Sequence, residues 1–236
     1  MNITNLKNLL LDIFFPKKCL NCGREEIFFC EDCLSLIEIN PFKYCLCNQP
    51  QKIITPKQCP RCRSKKLDGL FAATNFNQPQ VKKLIYSFKY KPQIKELNIY
   101  LAYLILTHLY LIAKYFPPNS LLIPVPLFIK KQKRRGFNQA EEIGKIISEK
   151  IYIPLKVDNL IRIKNTDSQT KLNKKQRIEN IKNAFIIKDK DAIKGKIIFL
   201  IDDVYTTGAT MEECAKVLKK AGAREVWGLV AAREII

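Results

Sequence analysis

The sequence predicts an α/β protein: a mostly parallel, twisted sheet flanked by helices, preceded by a small cysteine-rich zinc-ribbon module. Three observations carry this. Eight of the nine cysteines fall before residue 63, in close pairs. From about Leu70 onward, short apolar runs alternate with helical patterns. One of those runs, "KIIFLID" (196–202), is continuously apolar, as in a strand covered on both faces.

The 236 residues suffice for one large or two small domains, and the 47% hydrophobic content supports a packed core and excludes global disorder. Lys and Arg outnumber Asp and Glu, 41 to 22. The excess is uneven. Gly69 to Gly136 holds eleven basic residues and one acid, Glu96, while Lys156 to Lys196 holds twelve basic residues and five acids. A basic surface that meets phosphate is distributed in this way, although lysine bias in the genome accounts for part of it.

The chain opens with "MNITNLKNLLLDIFFPKKC", read as a short helix. Asp12 breaks its apolar stretch and no small-residue cleavage site follows, so it is not a signal peptide and a cytoplasmic location is expected. In that compartment metal binding is a better reading of the cysteines than disulfides. The pairs are "CLNC" (19–22), "CEDC" (30–33), "CLC" (45–47) and "CPRC" (59–62). Two thiolates on one tight knuckle reach the same ion, and two knuckles complete a tetrahedral site. Gly23 and Asn48 follow their knuckles, where a left-handed conformation is wanted. Sequential pairing gives Cys19, Cys22, Cys30 and Cys33 for one zinc, and Cys45, Cys47, Cys59 and Cys62 for a second, with interleaving as the alternative. Four thiolates leave no open position for water, so a structural zinc is expected, with redox CxxC chemistry as the alternative that four clustered pairs disfavour. The linker near "RSKKLDG" (63–69) divides residues 1–66 from a larger unit, 67–236.

In that unit "LFAATNF" reads as a strand and "PQVKKLIYSFKY" as a helix with Pro79 at its start. The apolar segment 99–116 is interrupted by His108 and Lys114 and is too short for a membrane span. Leu101, Leu104, Ile105, His108 and Ile112 share one helical face, so it is a buried helix ending near Pro117, with His108 a core residue. "SLLIPVP" (120–126) is a short strand. "NQAEEIGKIISEKI" (138–151) is an amphipathic helix capped by Asn138. The helix "ATMEECAKVLKKAGA" (209–223), which contains Cys214 as a small buried residue, and the strand "EVWGLVAA" close the chain.

In open parallel sheets ligands sit beyond the carboxyl ends of the strands, where Asp202 and Asp203 are expected. Two adjacent carboxylates repel unless a metal ion or vicinal hydroxyls occupy them. The turn "TTGAT" then opens a helix, and its amides and hydroxyls form an anion cradle. Gly208 lets the backbone approach closely. Acids for a sugar's hydroxyls next to a cradle for its phosphate describe a phosphorylated pentose. A strand–turn–helix corner with threonine capping explains either half alone.

"IIFLIDDVYTTGAT" resembles the phosphoribosyl-pyrophosphate motif of type I phosphoribosyltransferases, position by position. "FKYKPQIKEL" (88–97), "IPVPLFIKKQKRRGFNQAEEIG" (123–144) and "SQTKLNKKQRIENIKNAF" (168–185) resemble ComF-type competence proteins within that superfamily, as does the double zinc ribbon. The resemblance implies the type I phosphoribosyltransferase fold. It implies that Asp202 and Asp203 bind the ribose 2′- and 3′-hydroxyls of 5-phosphoribosyl 1-pyrophosphate, and that Tyr205, Thr206, Thr207, Gly208, Ala209 and Thr210 form the 5′-phosphate loop. Magnesium would bridge pyrophosphate and ribose oxygens. Pro124 and Val125 lie where the family carries a pyrophosphate loop. Arg134 and Arg135 would grip phosphate oxygens bidentately. The polar stretch 160–182, with Gln169, Lys171, Arg177 and Asn180, looks like a covering loop, or alternatively a charged surface helix. Acceptor specificity would lie in a hood made of the cysteine module and segment 69–95. The family also implies a partner in single-stranded DNA or DNA-uptake proteins, with Tyr86, Phe88, Tyr90 and Phe137 available for stacking.

Overall fold

A computed structural model describes residues 16–47, 49–55, 58–90, 94–165 and 174–234, side chains of 174 and 175 excepted. The helix expected ahead of Cys19 lies outside them up to residue 15.

Four strands form the main sheet: β1 (Gly69–Asn75), β2 (Ser120–Pro124), β5 (Ile197–Tyr205) and β6 (Glu225–Arg233). Their order is β1-β6-β5-β2 and every pairing is parallel. β5 and β6 are central, and their nearly unbroken apolar runs are buried on both sides. The expected alternation of strands and helices is thus present. Segment 69–75, expected in the hood, is instead an edge strand of this sheet. Its seven residues are apolar enough to be covered on both faces. A second, antiparallel pair joins β3 (Leu160–Arg162) to β4 (Phe185–Ile187).

Among the described residues seven α-helices accompany the strands: α1 (Glu31–Ser35), α2 (Pro79–Lys89), α3 (Asn98–Leu111), α4 (Ile129–Arg135), α5 (Gln139–Ile151), α6 (Lys174–Ile181) and α7 (Ala209–Lys220). Pro79 starts α2, and the Asn138 side chain accepts from Ala140 N–H at 3.2 Å to cap α5, both as the sequence predicts. α3 buries Leu101, Leu104, Ile105 and His108 but stops at Leu111, where Ala113 turns left-handed. Among the described residues no helix is long and apolar enough to cross a membrane.

Two glycines show which helix covers which face. Gly228, the register partner of Leu200, lies against Met211 of α7, whereas Ile201 lies against Gly144 of α5. Successive strand residues point to opposite faces, so α7 and α5 cover opposite sides of β5.

The cysteine-rich module shares one apolar core with the sheet. Glu212 accepts the N–H groups of Lys66 and Leu67 at 2.7 and 3.2 Å, and Asp68 accepts Val226 N–H at 2.7 Å. These bonds tie the linker to α7 and β6.

Candidate functional site

The site begins where the β2–β5 ladder stops. Its last register pair is Pro124 with Ile201, and Val125 N–H donates to Ile201 O at 2.9 Å. Beyond it β5 loses its β2 neighbour but stays paired with β6 as far as Tyr205 and Arg233. The expected strand end at 202 is therefore extended by three residues, because β6 runs alongside. Asp202 and Asp203 lie inside the strand and point to opposite faces.

On the α5 side, Asp203 is 3% exposed and meets Lys89 Nζ at 2.8 Å. Asp202 Oδ1 accepts the Asp203 N–H at 2.9 Å. Burial pushes the Asp202 carboxyl up to about 8; the neighbouring Asp203 adds to this and Lys89 opposes it. Burial works against the Lys89 ammonium, yet the attraction of Asp203 and Asp202 raises it above the ordinary lysine value. Two acids thus share one lysine, and with Asp202 holding its proton near neutral pH the charges of the three groups balance.

The bend follows at once. Gly208 has φ +75°, and any Cβ there would lie 2.1 Å from the Tyr205 hydroxyl oxygen, so only glycine fits. Thr207 Oγ1 accepts from Ala209 N–H at 3.4 Å, and Gly208 O accepts Glu212 N–H at 2.9 Å. Arg177 Nη1 donates to Thr206 Oγ1 at 3.4 Å. The N-terminus of the twelve-residue α7 opens directly from this bend.

Acids and bend line a single cavity of about 430 Å³, within the ordinary range for small-molecule sites. Its wall includes Asp202, Asp203, Tyr205, Thr206, Thr207, Gly208, Ala209 and Thr210, together with Val125, Arg135 and Arg177. Lys131 and Arg135 reach it from one face of α4, four residues apart, and Arg135 Nη1 donates to Gln139 Oε1 at 2.9 Å. Arg134, one residue along the helix, is exposed and does not line the cavity. Pro124 is buried in β2 and does not line it either. Asn180 is not in its wall, and Lys171 and Gln169 lie outside the described residues. The stretch 160–182 contains β3 and α6 on either side of residues 166–173, so the helical alternative holds for its second half.

Lys89, Lys131 and Arg162 line the cavity without having been singled out from the sequence. Helical spacing from Lys131 to Arg135 was the available signal for one of them. Aromatic side chains belong to the same wall. Phe76, Tyr86 and Tyr90 line it, with Tyr86 55% and Tyr90 43% exposed and their ring centres 5.6 Å apart. Phe88, by contrast, is fully buried and packs on Phe137 at 5.5 Å, so it has no surface to offer a base.

The cysteines assemble sequentially. In each set, Cys19, Cys22, Cys30, Cys33 and Cys45, Cys47, Cys59, Cys62, all four sulfurs lie within 4.8 Å of one another. Sulfurs at about 2.3 Å from a tetrahedral zinc stand about 3.8 Å apart. Cys19–Cys30, Cys22–Cys30 and Cys47–Cys59 are 3.8, 3.6 and 3.6 Å apart. N–H donors already face them: Gln51 N–H to Cys45 Sγ at 3.2 Å and Asn21 Nδ2 to Cys33 Sγ at 3.3 Å. Both sets therefore fit zinc, and the one-residue spacing of Cys45 and Cys47 does not prevent closure. Gly23 has φ +81° and donates its N–H to Cys19 O at 2.9 Å, as a tight knuckle requires; Asn48 lies outside the described residues. Cys214 is fully buried in α7.

Comparison with known proteins agrees with this layout. The phosphoribosyl transferase domain family matches residues 133–233. The chain is 32% identical to Competence protein F of Haemophilus influenzae over 231 residues, 93% of this chain and 99% of that one. It is 28% identical to Competence protein ComFC of Bacillus subtilis, over 82% of this chain and 78% of that protein. DNA utilization protein YhgH of Escherichia coli O157:H7 is 34% identical, over 46% of this chain and 48% of its own length.

Proposed function

The chain belongs to the competence protein F family of the phosphoribosyltransferase superfamily, and from that premise we propose that it binds 5-phosphoribosyl 1-pyrophosphate, with magnesium, as a phosphoribosyltransferase acting in DNA uptake. The observation that carries this reading is the meeting of Asp202, Asp203 and the Thr206–Thr210 bend in one cavity of about 430 Å³. The ribose hydroxyls pair with the carboxylates. The 5′-phosphate takes the amides of the bend and the start of α7. Arg135 and Lys131 face the pyrophosphate, where negative charge grows as the bond to the ribose carbon loosens. When bound, magnesium would neutralise pyrophosphate oxygens, and Asp202, once its proton is released, would supply the carboxylate that Lys89 does not offset. Positioning and charge stabilisation then supply most of the catalysis.

Titration calorimetry with the donor and magnesium tests this. Wild-type protein binds, and the Asp202→Asn/Asp203→Asn double variant loses most of the affinity. Equal affinity in both proteins removes the reading.

A second reading keeps the fold as a ligand-binding module that handles single-stranded DNA. The exposed Tyr86 and Tyr90 in the cavity wall favour it, as do the basic Lys131 and Arg135 of α4 in the same wall. Stacking on such rings is worth about 1–3 kcal/mol per base. Replacing both tyrosines by alanine therefore weakens single-stranded DNA binding at least severalfold, while the slope of log K against log salt, set by phosphate contacts, stays the same. Unchanged affinity sinks this role for the two tyrosines.

A further inference from the structure

Arg233 ends β6 and is 3% exposed. A guanidinium buried so deeply needs acceptors and compensating charge. The described residues provide no carboxylate within ion-pair distance of it. Its Nη1 instead donates to Cys45 O at 2.6 Å and its Nη2 to Cys47 O, the carbonyls of the Cys45–Cys47 knuckle in the second cluster. Four thiolates around a divalent zinc carry a net double negative charge, which a neighbouring guanidinium offsets. On its other side, the same guanidinium lies over the Tyr205 ring, 5.4 Å from the ring centre. Tyr205 is the register partner of Arg233, and Glu234 N–H donates to Tyr205 O at 2.9 Å. The Tyr205 hydroxyl in turn presses on Gly208, where no Cβ fits. One continuous set of contacts therefore runs from the second cysteine cluster through Arg233 and Tyr205 to the bend.

We infer that Arg233 is a positioning residue that couples metal occupancy of the Cys45, Cys47, Cys59, Cys62 cluster to the conformation of the bend at 206–210. With the cluster filled, the knuckle carbonyls hold the guanidinium flat on Tyr205, and Tyr205 holds the bend. Without the metal the knuckle opens, the guanidinium loses its acceptors, and the Tyr205 ring is released. The first cluster has no such route, because Arg233 bonds only to carbonyls of the second. The consequence for donor affinity rests on the bend being the phosphate site proposed above; the coupling itself does not.

Hydrogen exchange of backbone amides 206–210, read by mass spectrometry on the full chain without donor, tests the coupling. Zinc content of each variant is measured in parallel. Arg233→Lys keeps the charge but loses the two-pronged grip. We expect Arg233→Lys to retain both metals and speed exchange in the bend about tenfold, a size ordinary for coupled contacts. Cys59→Ser speeds it by a similar factor, and the double variant is no faster than the faster single variant. Cys19→Ser, which disturbs the first cluster, leaves the bend unchanged. If Cys59→Ser does not fold, stepwise zinc removal by a chelator from folded wild-type and Arg233→Lys protein makes the same comparison. Multiplying effects in the double variant, or an unchanged bend after loss of the second metal, overturns the coupling. Absence of donor binding in wild-type protein sinks the proposed function and leaves the exchange result standing.

Discussion

Replacing Gly208 by alanine combines two costs that the structure separates. The φ of +75° puts a non-glycine residue in the left-handed region, which costs about 1–2 kcal/mol. The new Cβ would also stand 2.1 Å from the Tyr205 hydroxyl oxygen and 2.4 Å from its ring carbon. Tyr205 is buried beneath Arg233 and cannot simply swing away. Overpacking of this kind costs about 1–3 kcal/mol, for a total of about 2–5 kcal/mol. Gly195 is the internal control: its φ is +71°, yet nothing lies within 4 Å of a Cβ built there, so Gly195→Ala meets only the conformational cost. In parallel urea titrations, Gly208→Ala loses more stability than Gly195→Ala by about 1–3 kcal/mol. On heating, the gap corresponds to several degrees, at about 2–4 °C per kcal/mol for a chain of this size. Donor affinity falls in Gly208→Ala alone. Equal destabilisation by the two substitutions refutes the claim that Tyr205 is wedged against the bend.

Three further outcomes follow from the site. Because the Asp202 carboxyl is raised from its ordinary 3.8 to about 8, the folded chain holds a proton there that the unfolded chain has released. Its contribution to stability is fully present below pH 3.8 and is lost as pH rises to about 8, so Asp202→Asn flattens the fall in stability across that window in denaturation at stepped pH. Arg135→Ala weakens donor binding about tenfold or more, whereas Arg134→Ala leaves it within about twofold, by calorimetry; equal effects would mean that α4 presents a different face. Metal analysis gives two zinc ions per chain in the wild type, and Cys30→Ser removes one of them while keeping the second; loss of both would show that the clusters are not independent.

Some of the site was legible because its parts are neighbours along the chain. The acids, the hydroxylated bend and the start of α7 form one continuous segment, and a strand–turn–helix corner places them together whatever surrounds it. The knuckles are local in the same sense, since two cysteines separated by one or two residues face a common ion. Arg134 and Arg135 mark the edge of this legibility. Their type is plain in the sequence, but the phase of a seven-residue helix decides which one reaches the cavity. Tyr86 and Phe88 differ likewise: both are aromatic and two residues apart, yet α2 turns one outward and buries the other.

What the sequence determined by itself is therefore the order of the four main-sheet strands and of helices α2, α3, α5 and α7, the cysteine knuckles and the acid–bend segment, because each follows from spacing and local backbone preference. Only the tertiary structure could decide that Lys89 pairs with Asp203, that β6 extends β5 beyond its expected end, and that Arg233 joins the cysteine knuckle to Tyr205. Those partners lie 114, 28 and more than 180 residues apart along the chain. No local pattern records which distant charge will neutralise a buried group; that is settled when the sheet closes and each buried polar atom must find the acceptor within its reach.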